Sequence, residues 1–187
     1  MFTEVKQFLS LVAQDAKVYG RERPSILFYI VTLLGLNTFS AVLLYRIDSA
    51  LYDKGFPWSL LAKLMRRWNQ ILNACEFFPQ AIIGPGLHVP HPTGVGVGPI
   101  RAGRNMTILQ NVCITLKDRS HVVLESYPRF GDNVTVGANA TVVGSVFIGD
   151  DVVIGASACV LKDVPAGCRA VGNPARVLQP KTPSLQG

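Results

Sequence analysis

His91 is the side chain best suited to move a proton near neutral pH, because imidazole titrates closest to it. It stands in Val89-Pro90-His91-Pro92-Thr93-Gly94. The two prolines fix the flanking backbone, and Gly94 leaves room beside the ring. That arrangement suits a general base accepting the proton of an attacking hydroxyl; an ordinary loop histidine is the competing reading. His88 lies three residues earlier and raises the question of a zinc pair. Zinc needs three or four ligands. Only His121 and four scattered cysteines, at 75, 113, 159 and 168, remain, so no metal is expected and His88 is assigned to a surface or cleft. No CxxC is present and no signal peptide is expected over 1–10, so the thiols read as free, in a reducing cytoplasm. Cys113 and Cys159 are assigned to packing. The run Gly94-Val95-Gly96-Val97-Gly98 imitates a phosphate loop, but its glycine spacing is wrong and Pro99 follows where a helix should start.

Two kinds of element must position these residues. Residues 1–75 read as a helical domain, with helices over Phe2–Tyr19, Phe39–Tyr52 and Trp58–Ala74. Val5, Phe8, Leu9 and Val12 share one face of the first; Trp58, Leu61, Leu64, Met65, Trp68 and Leu72 form a stripe on the last, read as core or subunit contact. Between Arg23 and Arg46 there are 22 uncharged residues, long enough to span a bilayer. Polar interruptions and the break at Gly35-Leu36-Asn37 favour packed helices instead, so no membrane span is expected. After Pro79 the period changes. Phe130, Val136, Val142, Ile148, Ile154 and Val160 recur every six residues, and four residues after each stands another apolar side chain: Val134, Ala140, Val146, Val152, Ala158, Val164. Six matches neither a helix nor an alternating strand; it suits a short strand plus a corner, with three units closing a triangular coil. The predicted fold is therefore mainly β, a parallel β-helix of hexapeptide repeats over 76–178 behind the helical domain. Small Ala140 and Ala158 are expected to ease corners, with glycine supplying unusual φ. An excursion loop is expected at 117–129 and a flexible tail at 179–187. Gln110 falls at a small-residue position of the pattern, where a polar side chain must be satisfied or face a cleft. It is a candidate acceptor contact.

The run from Ile83 to Val95, the triplet Ile108-Leu109-Gln110, the C-terminal coils and Val171-Gly172-Asn173-Pro174-Ala175-Arg176 resemble the serine acetyltransferases, hexapeptide-repeat acyltransferases with a left-handed β-helix. The resemblance implies an acetyl-CoA-dependent O-acetyltransferase that transfers directly to L-serine, with His91 as base and Glu76 orienting it, although the family's carboxylate there is Asp. It places the pantetheine arm of acetyl-CoA against Ala138, Gly144 and Ala156, with Lys162 and Arg176 toward the phosphates. In the acceptor pocket Pro90 stands where the family has Asp, and Tyr127 where it has a second His. Arg129, Arg119 and His121 remain as anion contacts. A sugar or other small alcohol is thus the rival acceptor, and a non-catalytic β-helix binding module the rival class. The resemblance further implies a homotrimer with sites between prisms, which the apolar helices could join into a dimer of trimers.

Composition agrees with a folded, soluble chain: 49% hydrophobic, 16% charged, formal net charge +6 over 187 residues. No run of five like charges occurs, so nucleic acid is not an expected partner. The basic excess fits a phosphorylated cofactor or a plain surface equally.

Overall fold

The structure, a computed structural model, describes residues 2–117 and 126–179. Four helices come first: α1 (Phe2–Val18), α2 (Ile26–Leu33), α3 (Ser40–Leu51) and α4 (Trp58–Asn73). Ser25 caps α2 by accepting the Phe28 amide at 3.2 Å, and Gly35 at φ +75° lets the chain turn away toward α3. α3 is buried along most of its length. Tyr45 carries it into the rest of the molecule: its ring lies 4.9 Å from Phe77 and its hydroxyl donates to the Ala81 carbonyl at 2.8 Å. Burial pushes that phenol up to about 12. No described helix is long and apolar enough to cross a membrane.

Two apolar faces sit differently from expectation. On α1, Val12, Asp15 and Ala16 face the core, whereas Val5 and Leu9 are exposed. On α4 the inward face is Ala62, Asn69 and Asn73; of the stripe, Met65 and Leu72 are half-buried and Trp58, Leu61, Leu64 and Trp68 are exposed, so it is not the core of this chain and, of the two expected readings, subunit contact is the one left. The α3–α4 seam is closed by a small side chain and by amide hydrogen bonds: Asn69 donates to the Ala41 carbonyl at 3.0 Å, and Ser40 donates to Asn73 at 2.6 Å. These polar side chains are tolerated in the seam because they find partners there.

The remainder is a triangular prism of three sheets wound from two- and three-residue strands. The first sheet joins Glu76–Phe77, Gly96–Val97, Cys113–Thr115, Thr141–Val143 and Cys159–Val160. The second joins Ile82–Ile83, Arg101–Ala102, Arg129–Phe130 and Phe147–Ile148. The third joins Thr107–Ile108, Thr135–Val136, Val153–Ile154, Arg169–Val171 and Arg176–Leu178, the last antiparallel and closing the end. All other pairings are parallel, and Thr135↔Val153 and Thr141↔Cys159 give the 18-residue coil. Inward side chains such as Val134 with Val136, and Ala140 with Val142, are fully buried, and the apolar core runs without a break from α1 and α3 into the prism.

Glycine supplies left-handed backbone at Gly86, Gly94, Gly144, Gly167 and Gly172, as expected, but shares the task. Other left-handed positions are held by Asn105, Asn133 and Asp151 on one edge and by Asn111, Asn139 and Ser157 on another, all with φ near +57 to +59°. Asparagine tolerates that region and its amide bonds along the edge: Asn105 to Asn133 at 2.9 Å, Asn133 to Asp151 at 2.9 Å, Asn111 to Asn139 at 3.1 Å. Gly137 and Gly149 serve a different need. A Cβ on Gly137 would lie 2.7 Å from the Ala156 nitrogen, and one on Gly149 2.5 Å from the Ala166 nitrogen. They are glycines because the next coil passes too close for a side chain.

Candidate active site

The segment carrying His91 is pinned from the helical side. Arg46, only 5% exposed, pairs with wholly buried Asp15 at 2.8 Å. Its guanidinium also donates to the carbonyls of Ile83 at 2.6 Å and Gly84 at 2.8 Å. Asp15 in turn accepts the amides of Gly86 at 2.8 Å and Leu87 at 2.9 Å. A buried charge is stable only when paired and fully hydrogen-bonded, and here both ions spend their capacity on one backbone stretch. Tyr19 continues the clamp: its hydroxyl accepts the Val89 amide at 2.7 Å and its ring meets His88 edge-on at 4.9 Å. His88, bridged to Thr107, is half-buried. Its imidazole is held below the usual histidine value, first by burial and then by the neighbouring His91. Sequence reasoning missed Asp15, Arg46 and Tyr19. The available signal was a charge set in an apolar helix face, Arg46 within Ala41–Ile47 and Asp15 three residues after Val12.

From this anchor Pro90-His91-Pro92 runs out to an exposed corner between the third and first sheets. The turn is fixed by Gly94 donating to the Ala74 carbonyl at 2.9 Å and by Asn111 donating to the Thr93 carbonyl at 3.0 Å. The second bond sets Pro92 beside Gln110. Asn139 donates to the Gln110 carbonyl at 3.0 Å, and Ser157 to the Ala138 carbonyl at 2.8 Å. His91, Gln110, Ala138 and Ala156 therefore line one edge of the prism in successive coils. Three coil steps separate the His91 turn from Ala156, about 14 Å. Arg176 caps the same end of the edge, paired with Val171. Gln110 is at the corner and half-buried, not at an inward position. The pattern was phased two residues off in the early coils, where Ile108, not Met106, is level with Val136 and the inward pairs are Met106 with Ile108 and Val112 with Ile114.

The other candidates sit elsewhere on the first sheet. Its outward positions pair Glu76 with Gly96, Gly96 with Cys113, Cys113 with Thr141, and Thr141 with Cys159. A groove of about 440 Å³ on this face is lined by Glu76, Phe78, Cys113, Thr115 and Tyr127. Cys113 is exposed there, contrary to its assignment to packing, because alternate side chains of a flat strand point outward. Beyond Tyr127, at the opposite edge, Lys117, Ser126, Gly144, Ser145, Lys162 and Asp163 line a cleft of about 700 Å³. Gly144 and Lys162 are thus brought together with each other but stand across the sheet from Ala138 and Ala156. Arg129 lies on the second sheet, in register with Arg101 and Phe147. His121 and Arg119 fall outside the described residues. Among the described residues no hydrogen bond or ion pair joins Glu76 to His91, and no group of three or more His, Cys, Asp or Glu is placed to hold a metal ion.

This arrangement offers an exposed imidazole on one edge, cations on two, and a carboxylate-bearing groove between them. The chain is similar to known proteins in sequence and in fold. Serine acetyltransferase 1, chloroplastic, of Arabidopsis thaliana is 35% identical over 176 residues, 94% of this chain and 55% of that protein. The serine acetyltransferase of Synechococcus elongatus is 32% identical over 168 residues, 89% of this chain and 67% of that protein. The crystal structure of the Neisseria gonorrhoeae serine acetyltransferase superposes with a TM-score of 0.80 at 31% identity, over 96% of this chain and 68% of that one. The chain spans about half the length of the plant relatives it matches. No family model matches it. The prism is the left-handed β-helix of these structures, and the chain belongs to the serine acetyltransferase family.

Proposed function

We propose that this chain is an acetyl-CoA-dependent O-acetyltransferase that acts on L-serine. The observation that carries the reading is the stacking of His91, Gln110, Ala138 and Ala156 on one exposed edge. There an imidazole, a side-chain amide and the backbone of two alanines follow one another along a line. Solved serine acetyltransferases of this fold in complex with serine and with CoA support both substrates. Acetyl-CoA lies along the edge, with its thioester toward His91 and its phosphates toward Arg176 and, from a neighbouring prism, Lys162. His91 takes the serine hydroxyl proton, the oxygen attacks the thioester carbonyl, and the imidazolium returns the proton to the leaving CoA thiolate. Glu76, which does not bond His91 in this structure, is assigned to orient the imidazole once the substrates are bound. No acyl-enzyme is required. The site is completed by a threefold assembly, in which the His91 edge of one prism meets the cleft edge of the next. Free cysteines and the neutral reaction suit a cytoplasmic setting.

A second reading keeps the chemistry and changes the acceptor. Glu76 is the one carboxylate or cation among the groove's described lining residues. That favours a neutral alcohol such as a sugar. CoA-thiol release measured with L-serine and with sugars, for the parent and His91→Ala, tests both readings. Loss of roughly 10²–10⁴-fold on His91→Ala is expected. Full turnover in the variant removes His91 from the mechanism, and absence of any acetyl-CoA binding by the parent leaves only the binding-module class.

A further inference from the structure

The outward face of the helical half is chemically one-sided. On α4, Leu60, Leu61, Leu64, Trp68 and Ile71 all point away from the packed side formed by Ala62, Asn69 and Asn73, and Ile71 is 61% exposed. α2 lies alongside: the Trp68 indole donates to the Leu33 carbonyl at 3.2 Å. It adds Ile26, 81% exposed, with Leu27 and Ile30. Lys63 and Arg67 flank the α4 stripe, both exposed. Between Lys54 and Cys75 the chain holds three cations, Lys63, Arg66 and Arg67, and no Asp or Glu; Arg66 is taken up by Asp48 at 2.9 Å, which leaves Lys63 and Arg67 to the face, and none of the residues from Pro24 to Ile47 is acidic.

We propose that this face docks on the surface of an anionic lipid bilayer, with α2 and α4 lying in the plane of the interface. A wide apolar stripe, flanking lysine and arginine, and a tryptophan at the boundary are what in-plane attachment requires. Spanning is not at issue, since α2 has 8 residues and α4 has 16. The charge pattern decides between lipid and a second copy of the chain. A twofold contact through this face would set Lys63 and Arg67 near their own copies with no carboxylate on α4 to meet them; phosphate headgroups supply the missing charge. α4 ends three residues before Glu76, so docking would hold the groove close to the bilayer and favour an acceptor presented there.

Flotation of the full chain with vesicles tests this, comparing phosphatidylcholine alone with phosphatidylcholine plus phosphatidylglycerol. Binding is expected to the anionic vesicles, to weaken as salt is raised, and to be at least tenfold weaker on the neutral ones. Lys63→Gln with Arg67→Gln should weaken it by roughly 30-fold, and Leu61→Ser, Leu64→Ser and Ile71→Ser by roughly tenfold each. All five positions are exposed, and circular dichroism checks that the variants fold. Equal binding to both vesicle types, or none, overturns the proposal. So does sedimentation in which the serine variants fall to a smaller assembly while the parent ignores vesicles, since the face is then covered by another copy.

Discussion

Removing the Asp15 carboxylate leaves the Arg46 guanidinium with no route to water. In Asp15→Ala that side chain, 5% exposed, loses its one charged partner among the described residues, and the Gly86 and Leu87 amides lose their acceptor. Breaking one member of a buried pair costs about 3–5 kcal/mol. Each orphaned amide costs about 1–3 kcal/mol. These terms share one site and do not simply add, so we expect a loss of at least about 4 kcal/mol against a total of roughly 5–15 kcal/mol for a folded domain. Urea unfolding at fixed protein concentration reads the loss through Trp58 and Trp68, the two tryptophans of the chain. A second variant separates stability from positioning. Asp15→Leu with Arg46→Met replaces the ions with apolar groups and should recover much of the stability. It still leaves the Ile83 and Gly84 carbonyls and the two amides without side-chain partners. Its Gly86 and Leu87 amides should therefore exchange with solvent at least tenfold faster than in the parent, with Val142 in the prism unchanged, and thiol release should fall with the loosened His91 segment. A loss under about 1 kcal/mol in Asp15→Ala, or unchanged protection at Gly86 and Leu87, would refute the clamp.

Two further outcomes follow from the coil and its histidines. Gly137→Ala drives a Cβ to 2.7 Å from the Ala156 nitrogen, which should cost about 1–3 kcal/mol and lower Tm; Gly96→Ala, which meets nothing within 4 Å, is the control and should cost far less. His88 is held below 6.5, so the unfolded chain binds its proton more readily than the folded one. Its contribution is complete above pH 6.5 and is lost as pH falls below that value. Urea midpoints between pH 7.5 and 5 should therefore fall more steeply for the parent than for His88→Phe; parallel curves would rule out the assignment.

How far the sequence could be read follows from how local each signal is. The six-residue beat announces the prism because each coil buries its own apolar residues against the next, so Phe130 to Val160 repeat the pattern regardless of what lies outside. The helix ends are equally local: Gly35 and the Asp53-to-Pro57 turn mark them. What could not be read depends on distant segments. Arg46 looks like an ordinary charge until the fold sets Asp15, 31 residues away, beside it. The α4 stripe has the spacing of a core face, and only the packing of α3 shows that Ala62 and the asparagines occupy that place. The phase of Gln110 was lost between Val89 and Val95: Val89 is level with Ile108, the second member of its inward pair, whereas Val95 is level with Val112, the first, because the His91 turn adds two residues between them. The assignment of glycine to unusual φ holds at Gly86, Gly94, Gly144, Gly167 and Gly172, whereas at Gly137 and Gly149 the constraint is the approach of the next coil.

The separation of Gly144 from Ala138 bears directly on the proposed assembly. A prism side of six residues, shortened at its corners, is roughly 15–20 Å wide, so one bound cofactor cannot touch both edges of the same sheet while running along the coil axis. In a threefold ring the two edges of neighbouring prisms meet, and each site takes one edge from each of two subunits. Complementation counts this. His91→Ala spoils one edge, and Ser145→Trp fills the cleft at the other. Each variant alone should be nearly inactive. When equal amounts are unfolded and refolded together, a working site forms wherever an intact His91 edge meets an intact cleft edge, which is roughly a quarter of all junctions in randomly mixed trimers. Recovery of about that fraction of parent thiol release, absent when the two are merely mixed without refolding, is the expected result. If every site lay within one protomer, mixing could restore nothing, and a null result from confirmed mixed trimers would place His91 and the cleft in separate functions.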